Sequence, residues 1–241
     1  MLVYRQPIGT AAYLGGLKIL LEDFSWSFLQ MMLYSQEYCC LPGQYIHLDR
    51  SKISARAGSR NVLAASMMGE WLFMSDSDHL FEPDLLARLL AAFNQFRPGG
   101  ERIDVLTGLY RYIVPPHFPI LYHFDGDTQS HVQIAEVDMS QPVFQVDCAG
   151  AGVLLVRRCV FERIAAELKE KPFDEYPPFS EDFSFFMRCR KLGIKAYCAP
   201  QIQSHHLRVT PVTDENYMRD EVMTIPMPNG GLAARGKTGG V

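Results

Sequence analysis

Two carboxylates, Asp76 and Asp78, stand two positions apart just after the apolar run Trp71-Leu72-Phe73-Met74 and Ser75. Oxygen ligands at that spacing suit a hard divalent cation such as magnesium or manganese. Asp and Ser are also ordinary turn formers after a strand, so the spacing taken alone fits a plain turn as well. A second acidic pair, Glu181-Asp182, offers a general base towards a hydroxyl group. Acidic residues in a first helical turn equally serve to meet the positive end of the helix. His205-His206 offers an imidazole to a metal shell, and because neighbours on a strand face opposite sides, only one of the two can enter a given site. His47, His117, His123 and His131 lack metal-ligand spacing and read as structural groups. His79 lacks it too but adjoins the acidic turn.

The elements that must carry these residues alternate. Met1 to Tyr4 reads as the start of a buried strand, followed by a loop over Gln6-Pro7-Ile8-Gly9-Thr10. Phe24, Phe28, Met31 and Met32 recur at helical spacing, which predicts a helix ending before Pro42-Gly43. A short strand over Tyr45 to Leu48 precedes a second helix from about Ser54 to Met68, stopped by Gly69. Trp71 to Met74 is too short for an independent helix and predicts a buried strand running into Asp76-Ser77-Asp78. Leu85, Leu86, Leu89, Leu90 and Phe93 form the apolar face of the next helix. Asp104 to Tyr112 reads as a strand, and Pro115 to Asp138 as an irregular or hairpin segment turning at Asp125-Gly126-Asp127. Val143 to Val146 and Gly152 to Val156 flank the small residues Cys148-Ala149-Gly150-Ala151, where backbone can approach a ligand closely. After the helix marked by Val160, Ile164 and Leu168, Ser180 is expected to cap a helix from Glu181 to Leu192. Strands over Ile194 to Cys198 and Gln201 to Leu207 close the pattern. Alternating strands and helices predict an α/β fold with a mixed, mostly parallel central sheet covered by helices on both faces. Residues 1–225 are expected to form one domain, and 226–241 a flexible tail rich in Gly and Pro.

Composition narrows the function classes. A hydrophobic share of 48% beside 21% charged residues excludes wholesale disorder. The formal net charge of -4 gives no general attraction to nucleic acid, which leaves Arg50, Lys52, Arg56 and Arg60 as a short cluster suited to local anion binding. Six cysteines without a C-x-x-C pair fit a reducing compartment, and no signal peptide or membrane span is evident, so a cytoplasmic location is expected.

The motifs also occur in a telling order. Ser59-Arg60-Asn61-Val62-Leu63-Ala64, then the strand with Asp76-Ser77-Asp78, then Phe81-Glu82-Pro83-Asp84-Leu85-Leu86, resembles the nucleotide-sugar half of family-2-like glycosyltransferases of the GT-A fold. Val146 to Arg158 resembles that family's Gly-rich acceptor-side strand pair, Ser180-Glu181-Asp182-Phe183 its acidic helix start, and Ser204-His205-His206-Leu207 its closing metal histidine. The resemblance spans roughly residues 45–210. It implies a nucleotide-sugar donor, a UDP- or GDP-sugar, held with Mn2+ or Mg2+. Asp78 and His206 would ligate the metal, Asp76 would contact the donor ribose or the metal through water, and Arg60 would meet the nucleotide, with Asn61 and Ser77 beside them on the donor side. Asp182, with Glu181 as its neighbour, would be the base that makes transfer inverting. The acceptor stays open among a saccharide, a lipid-linked glycan, a protein and a modified nucleic-acid base. A phosphohydrolase or phosphotransferase with an aspartyl nucleophile, and an inactive nucleotide-sugar-binding protein, are the competing readings.

Overall fold

Trp71 to Ser75 are all buried, as a strand with neighbours on both edges and layers on both faces requires. In the computed structural model this strand lies third in a seven-stranded sheet. The structure describes residues 5–14, 22–53, 55–127 and 130–207, with the backbone of two further short strands at 225–226 and 232–233. The elements in chain order are β1 Gln6–Leu14, α1 Glu22–Cys39, β2 Gln44–Ser51, α2 Arg56–Ser66, β3 Trp71–Asp76, β4 His79–Leu80, α3 Leu85–Gln95 and β5 Val105–Leu109. Then come β6 Leu121–Asp125, β7 Ser130–Gln133, β8 Phe144–Val146, β9 Cys148–Ala149, β10 Val153–Arg157, α4 Arg158–Arg163, α5 Glu181–Lys191, β11 Ala196–Gln203 and β12 His205–His206. A single π-type turn, Ile164–Leu168, prolongs α4.

The central sheet has the order β2-β1-β3-β10-β5-β11-β8. β1 runs parallel to both β2 and β3, and β5 parallel to β11. β10 is antiparallel to β3 and to β5, which sets β5 and β11 in the same direction as β3. Only β10 and β8 oppose the rest, so the sheet is mixed but mostly parallel, flanked by helices as the alternation predicts. A second sheet, β7-β6-β9, and a two-stranded pair, β12-β4, are built beside it. The chain divides into two compact units, Met1–Leu207 and Arg208–Val241, the latter containing the antiparallel pair Ile225–Pro226 with Leu232–Ala233. The other residues of the expected tail lie outside the described residues. No described helix is long and apolar enough to cross a membrane.

Helical spacing delivers the core. Phe24, Phe28 and Met31 bury one face of α1, and the two phenylalanine rings stack at 5.5 Å, each meeting Tyr13 of β1 edge-on at 5.3 Å. α3 buries Leu85, Leu86, Leu89, Leu90 and Phe93 as its pattern predicts, and packs against α1.

Three local expectations are corrected. Met1–Tyr4 lies outside the described residues, and the loop read over Gln6 to Thr10 is instead the first half of β1. The strand tolerates Pro7 because β3 joins only from Thr10 onward, and the pairing with β2 shifts register between Pro7 and Gly9. Gly9 belongs there because a Cβ would fall 2.2 Å from the Trp71 ring. Ser180 does not cap α5 through its side chain, because its hydroxyl donates to the Asp182 carboxylate instead. The strand expected to end at Cys198 continues to Gln203 and is followed by the separate β12.

Candidate metal centre

The parallel strands bring distant residues to one edge of the sheet. Asp76 ends β3, Tyr110 follows β5 and Ser204 follows β11, all at carboxyl ends. Ala151 and Gly152 precede the oppositely directed β10 and so reach the same edge. Ligands collect at such an edge because the loops leaving it are free to carry side chains rather than structure.

Ser77 and Asp78 form the turn from β3 into β4. β4 then pairs antiparallel with β12, which sets His79 directly opposite His206. Cross-strand partners stand close enough for their side chains to touch, and the two imidazoles stack with centroids 4.8 Å apart and planes 14° apart. His205, one residue earlier, is exposed, in keeping with the alternation of a strand. The Leu207 amide donates to the Asp78 carbonyl at 2.6 Å and ties the turn to the strand.

Both rings are held from behind. His79 Nδ1 lies 2.8 Å from Ser204 Oγ, and His206 Nδ1 donates to the Arg111 carbonyl at 3.0 Å. Each Nε2 is thereby aimed at Asp78, at 4.0 Å from His79 to Oδ1 and 3.3 Å from His206 to Oδ2. Fixing a histidine by its far nitrogen is how metal-binding imidazoles are oriented. His79 Nε2 and Asp78 Oδ1 are buried without any hydrogen-bond partner, a costly condition for polar atoms unless a ligand joins them. One ligand atom from each of Asp78, His79 and His206 lies within 4.8 Å of the others, so the set fits a divalent cation after a small contraction.

The charges of Asp78 and His79 suit that use, and His206 would bind a cation on releasing its Nε2 proton. Burial alone would raise the Asp78 carboxyl, but the hydrogen bond from His206 and the neighbouring imidazoles hold it below its ordinary value. Burial pushes His79 down to about 4 against the pull of Asp76, so the ring is a neutral donor at neutral pH. His206 is raised despite its burial, because Asp78 and the Arg111 carbonyl favour its protonated form. Tyr110 walls the cluster, its ring edge-on to His79 at 4.7 Å and its hydroxyl accepting the Gly152 amide at 3.0 Å.

A second, charged junction adjoins the first. Arg60 is 1% exposed, with Nη2 2.7 Å from Asp76 Oδ1, Nε 3.3 Å from Glu181 Oε1 and Nη1 donating to the Ala151 carbonyl at 2.9 Å. Burial opposes the charge, but Asp76 and Glu181 outweigh it and hold the guanidinium firmly protonated. Arg60 is buried and so does not share a surface with the exposed Arg50, Lys52 and Arg56. Burial and then the neighbouring Asp182 raise Glu181, against Arg60. Asp182, half-buried, accepts hydrogen bonds on Oδ1 from the Ser180 hydroxyl and, at 2.9 Å, from the Phe183 amide. Its charge adds to those of Asp76 and Glu181 in favouring the charged form of Arg60. Ser77 is buried in the turn. Asn61 faces elsewhere: its amide donates to Asp174 at 2.8 Å and accepts from the Phe173 amide at 2.9 Å.

Tyr110 and Gly152 lie outside the candidate residues, and the sequence assigns His79 no role. Nothing in the one-dimensional pattern marks Tyr110, whereas Gly152 lies within the Gly-rich Val146 to Arg158 stretch that the resemblance singles out. The signal for His79 was its position directly after Asp78, at the first residue of a strand whose partner ends in a histidine.

The fold is α/β, with a seven-stranded, mostly parallel central sheet flanked by helices, and is similar to GT-A glycosyltransferase structures. GalNAc-T7, solved with UDP, GalNAc and Mn2+, superposes with a TM-score of 0.58 at 11% identity, over 85% of this chain and 43% of that one. A197 from STIV matches over 96% of this chain and 95% of its own, with a TM-score of 0.50 and 15% identity. No protein-family model matches the sequence, and no curated protein matches it.

Proposed function

We propose that the chain is a metal-dependent glycosyltransferase, family-2-like in its motifs, that moves a sugar from a UDP- or GDP-sugar to an acceptor hydroxyl with inversion. The observation that carries this reading is the convergence of Asp78, His79 and His206 at the carboxyl edge of the sheet, with two buried ligand atoms lacking partners. The likeness to a fold solved with UDP, GalNAc and Mn2+ supports it. Residues 1–225 form the catalytic domain on this reading, with 226–241 as a tail. Six unpaired cysteines favour a cytoplasmic location.

Asp78 and His206 would hold Mn2+ or Mg2+, which would supply positive charge to offset that developing on the departing diphosphate. Asp76, kept at the end of β3 by Arg60, faces the donor side, and Ser77 shapes the turn between them. Asp182 takes the proton of the acceptor hydroxyl as its oxygen bonds to the anomeric carbon and the carbon–oxygen bond to the diphosphate breaks, the electron pair leaving with the phosphate oxygen. Attack from the face opposite the leaving group inverts the anomeric centre.

Thermal melting with a panel of UDP- and GDP-sugars, with and without Mn2+, tests the reading. A true donor at 100 times its dissociation constant should raise the midpoint by about 5 to 10 °C, and only with metal present. A protein that binds Mn2+ at this cluster yet is stabilised by none of the nucleotide sugars is not a glycosyltransferase of this kind.

A further inference from the structure

The acidic motif presents two carboxylates, but the fold treats them differently. Asp76 is the nearest counter-charge to a guanidinium that is almost wholly enclosed. A buried cation deprived of its partner is strongly destabilising, so Asp76 is held where Arg60 needs it. Among the described residues, the group whose ligand atoms lie within 4.8 Å of one another is Asp78, His79 and His206, and Asp76 is not in it. His79 is 0% exposed, its Nδ1 is engaged by Ser204, and its Nε2 points into the cluster with no partner. Gly152 keeps that side clear, since a Cβ there would fall 2.5 Å from His79 Nε2.

We infer that His79, rather than Asp76, completes the metal shell with Asp78 and His206, and that this set of two imidazoles and one carboxylate selects a first-row transition-metal dication over Mg2+ or Ca2+. The inference rests on the reading of the cluster as a metal site and fixes which metal class it takes. Imidazole nitrogens favour the borderline transition metals, whereas Mg2+ and Ca2+ take oxygen ligands almost throughout. Asp76 acts through Arg60 as a positioning residue, fixing the end of β3 from which the turn departs.

The test uses the full chain, with Co2+ and Mn2+ as probes, calorimetry for affinity and the visible spectrum of Co2+ for its ligand field. The wild-type protein should bind one Co2+, and a hundredfold excess of Mg2+ should not displace it. His79→Gln should weaken Co2+ by about 100-fold or more, whereas Asp76→Asn should weaken it by less than about tenfold, as expected for groups inside and outside the shell. Because either substitution touches buried groups, an unmutated readout accompanies them: Co2+-loaded protein should show two hyperfine-shifted imidazole N–H resonances in its proton spectrum. A single such resonance, an Asp76→Asn variant that loses the metal while His79→Gln keeps it, or displacement of Co2+ by equimolar Mg2+ would overturn the inference and leave the glycosyltransferase reading standing. Failure of the wild-type chain to bind either probe would sink both.

Discussion

Gly152 and His79 approach so closely that no side chain fits between them: a Cβ on Gly152 would lie 2.5 Å from His79 Nε2 and 3.0 Å from Tyr110 Cζ. The glycine is not there for an unusual backbone angle, so alanine meets only the crowded space. Gly152→Ala should therefore push the imidazole or the phenol aside, cost about 1 to 3 kcal/mol of stability, and weaken Mn2+ by about tenfold or more. Calorimetry beside a melting curve checks it. A variant that binds Mn2+ as the parent does would show that the space beside Nε2 has no part in the centre.

Asp182 should separate transfer from donor binding. Its Oδ1 is engaged by Ser180 and the Phe183 amide, contacts that orient the carboxylate. Asn in its place keeps the shape but cannot take a proton. Asp182→Asn should lower the transfer rate by about 10² to 10⁴-fold while the donor still raises the melting temperature as it does for the parent. Unchanged turnover would remove Asp182 from the chemistry.

The class of fold was legible because its evidence is local. A run of four apolar residues followed by polar ones is too short for an independent helix and reads as a strand end, and the 3.6-residue spacing in α1 and α3 appears directly in their buried faces. What was not legible is carried by contacts between distant segments. Pro7 and Gly9 read as loop punctuation, and only the Trp71 ring packed on Gly9 explains a glycine within a strand. Arg60 and Glu181 lie 121 positions apart, so nothing local tells a surface arginine from one buried between two carboxylates. His79 shows the same limit: its role depends on β4 pairing with β12, a ladder of two residues set by the ends of longer strands. The resemblance to glycosyltransferases named Asp78 and His206 together, and they stand 3.3 Å apart. It also named Asn61, whose amide is engaged with Phe173 and Asp174 instead.

Arg60 should be among the residues least tolerant of neutralisation. Replacing it by methionine leaves Asp76 and the buried Glu181 facing each other without a counter-charge. Arg60→Met should cost about 3 to 5 kcal/mol in chemical denaturation, the range for breaking a buried ion pair from one side. The double variant Arg60→Met, Glu181→Gln should recover part of that loss, since it removes one stranded charge. Additive losses in the two single variants would mean that the groups are not coupled.

A second buried guanidinium, Arg188, supplies a pH-dependent prediction. Arg188 has a side chain 2% exposed, donates to Glu170 Oε2 at 2.7 Å and to the Asp174 carbonyl at 2.6 Å, and lies over the Tyr176 ring at 3.9 Å. The Tyr176 hydroxyl also donates to Glu170, and this bond, with the Arg188 charge, outweighs burial and holds the carboxyl below its ordinary 4.5. A carboxylate depressed in the folded protein stabilises it above the unfolded value, and that contribution fades as pH falls through the lower folded value. Glu170 is 33% exposed, so solvent screens part of the effect, and Glu170→Gln should cost only about 1 to 2 kcal/mol near neutral pH. In a chain of this length that is a fall of about 2 to 8 °C in melting temperature. The gap between parent and variant should close as the pH is lowered from about 6 to about 3, because the parent loses what the variant never had. A gap that stays constant across that range would mean that Glu170 stabilises the fold by packing rather than by its charge.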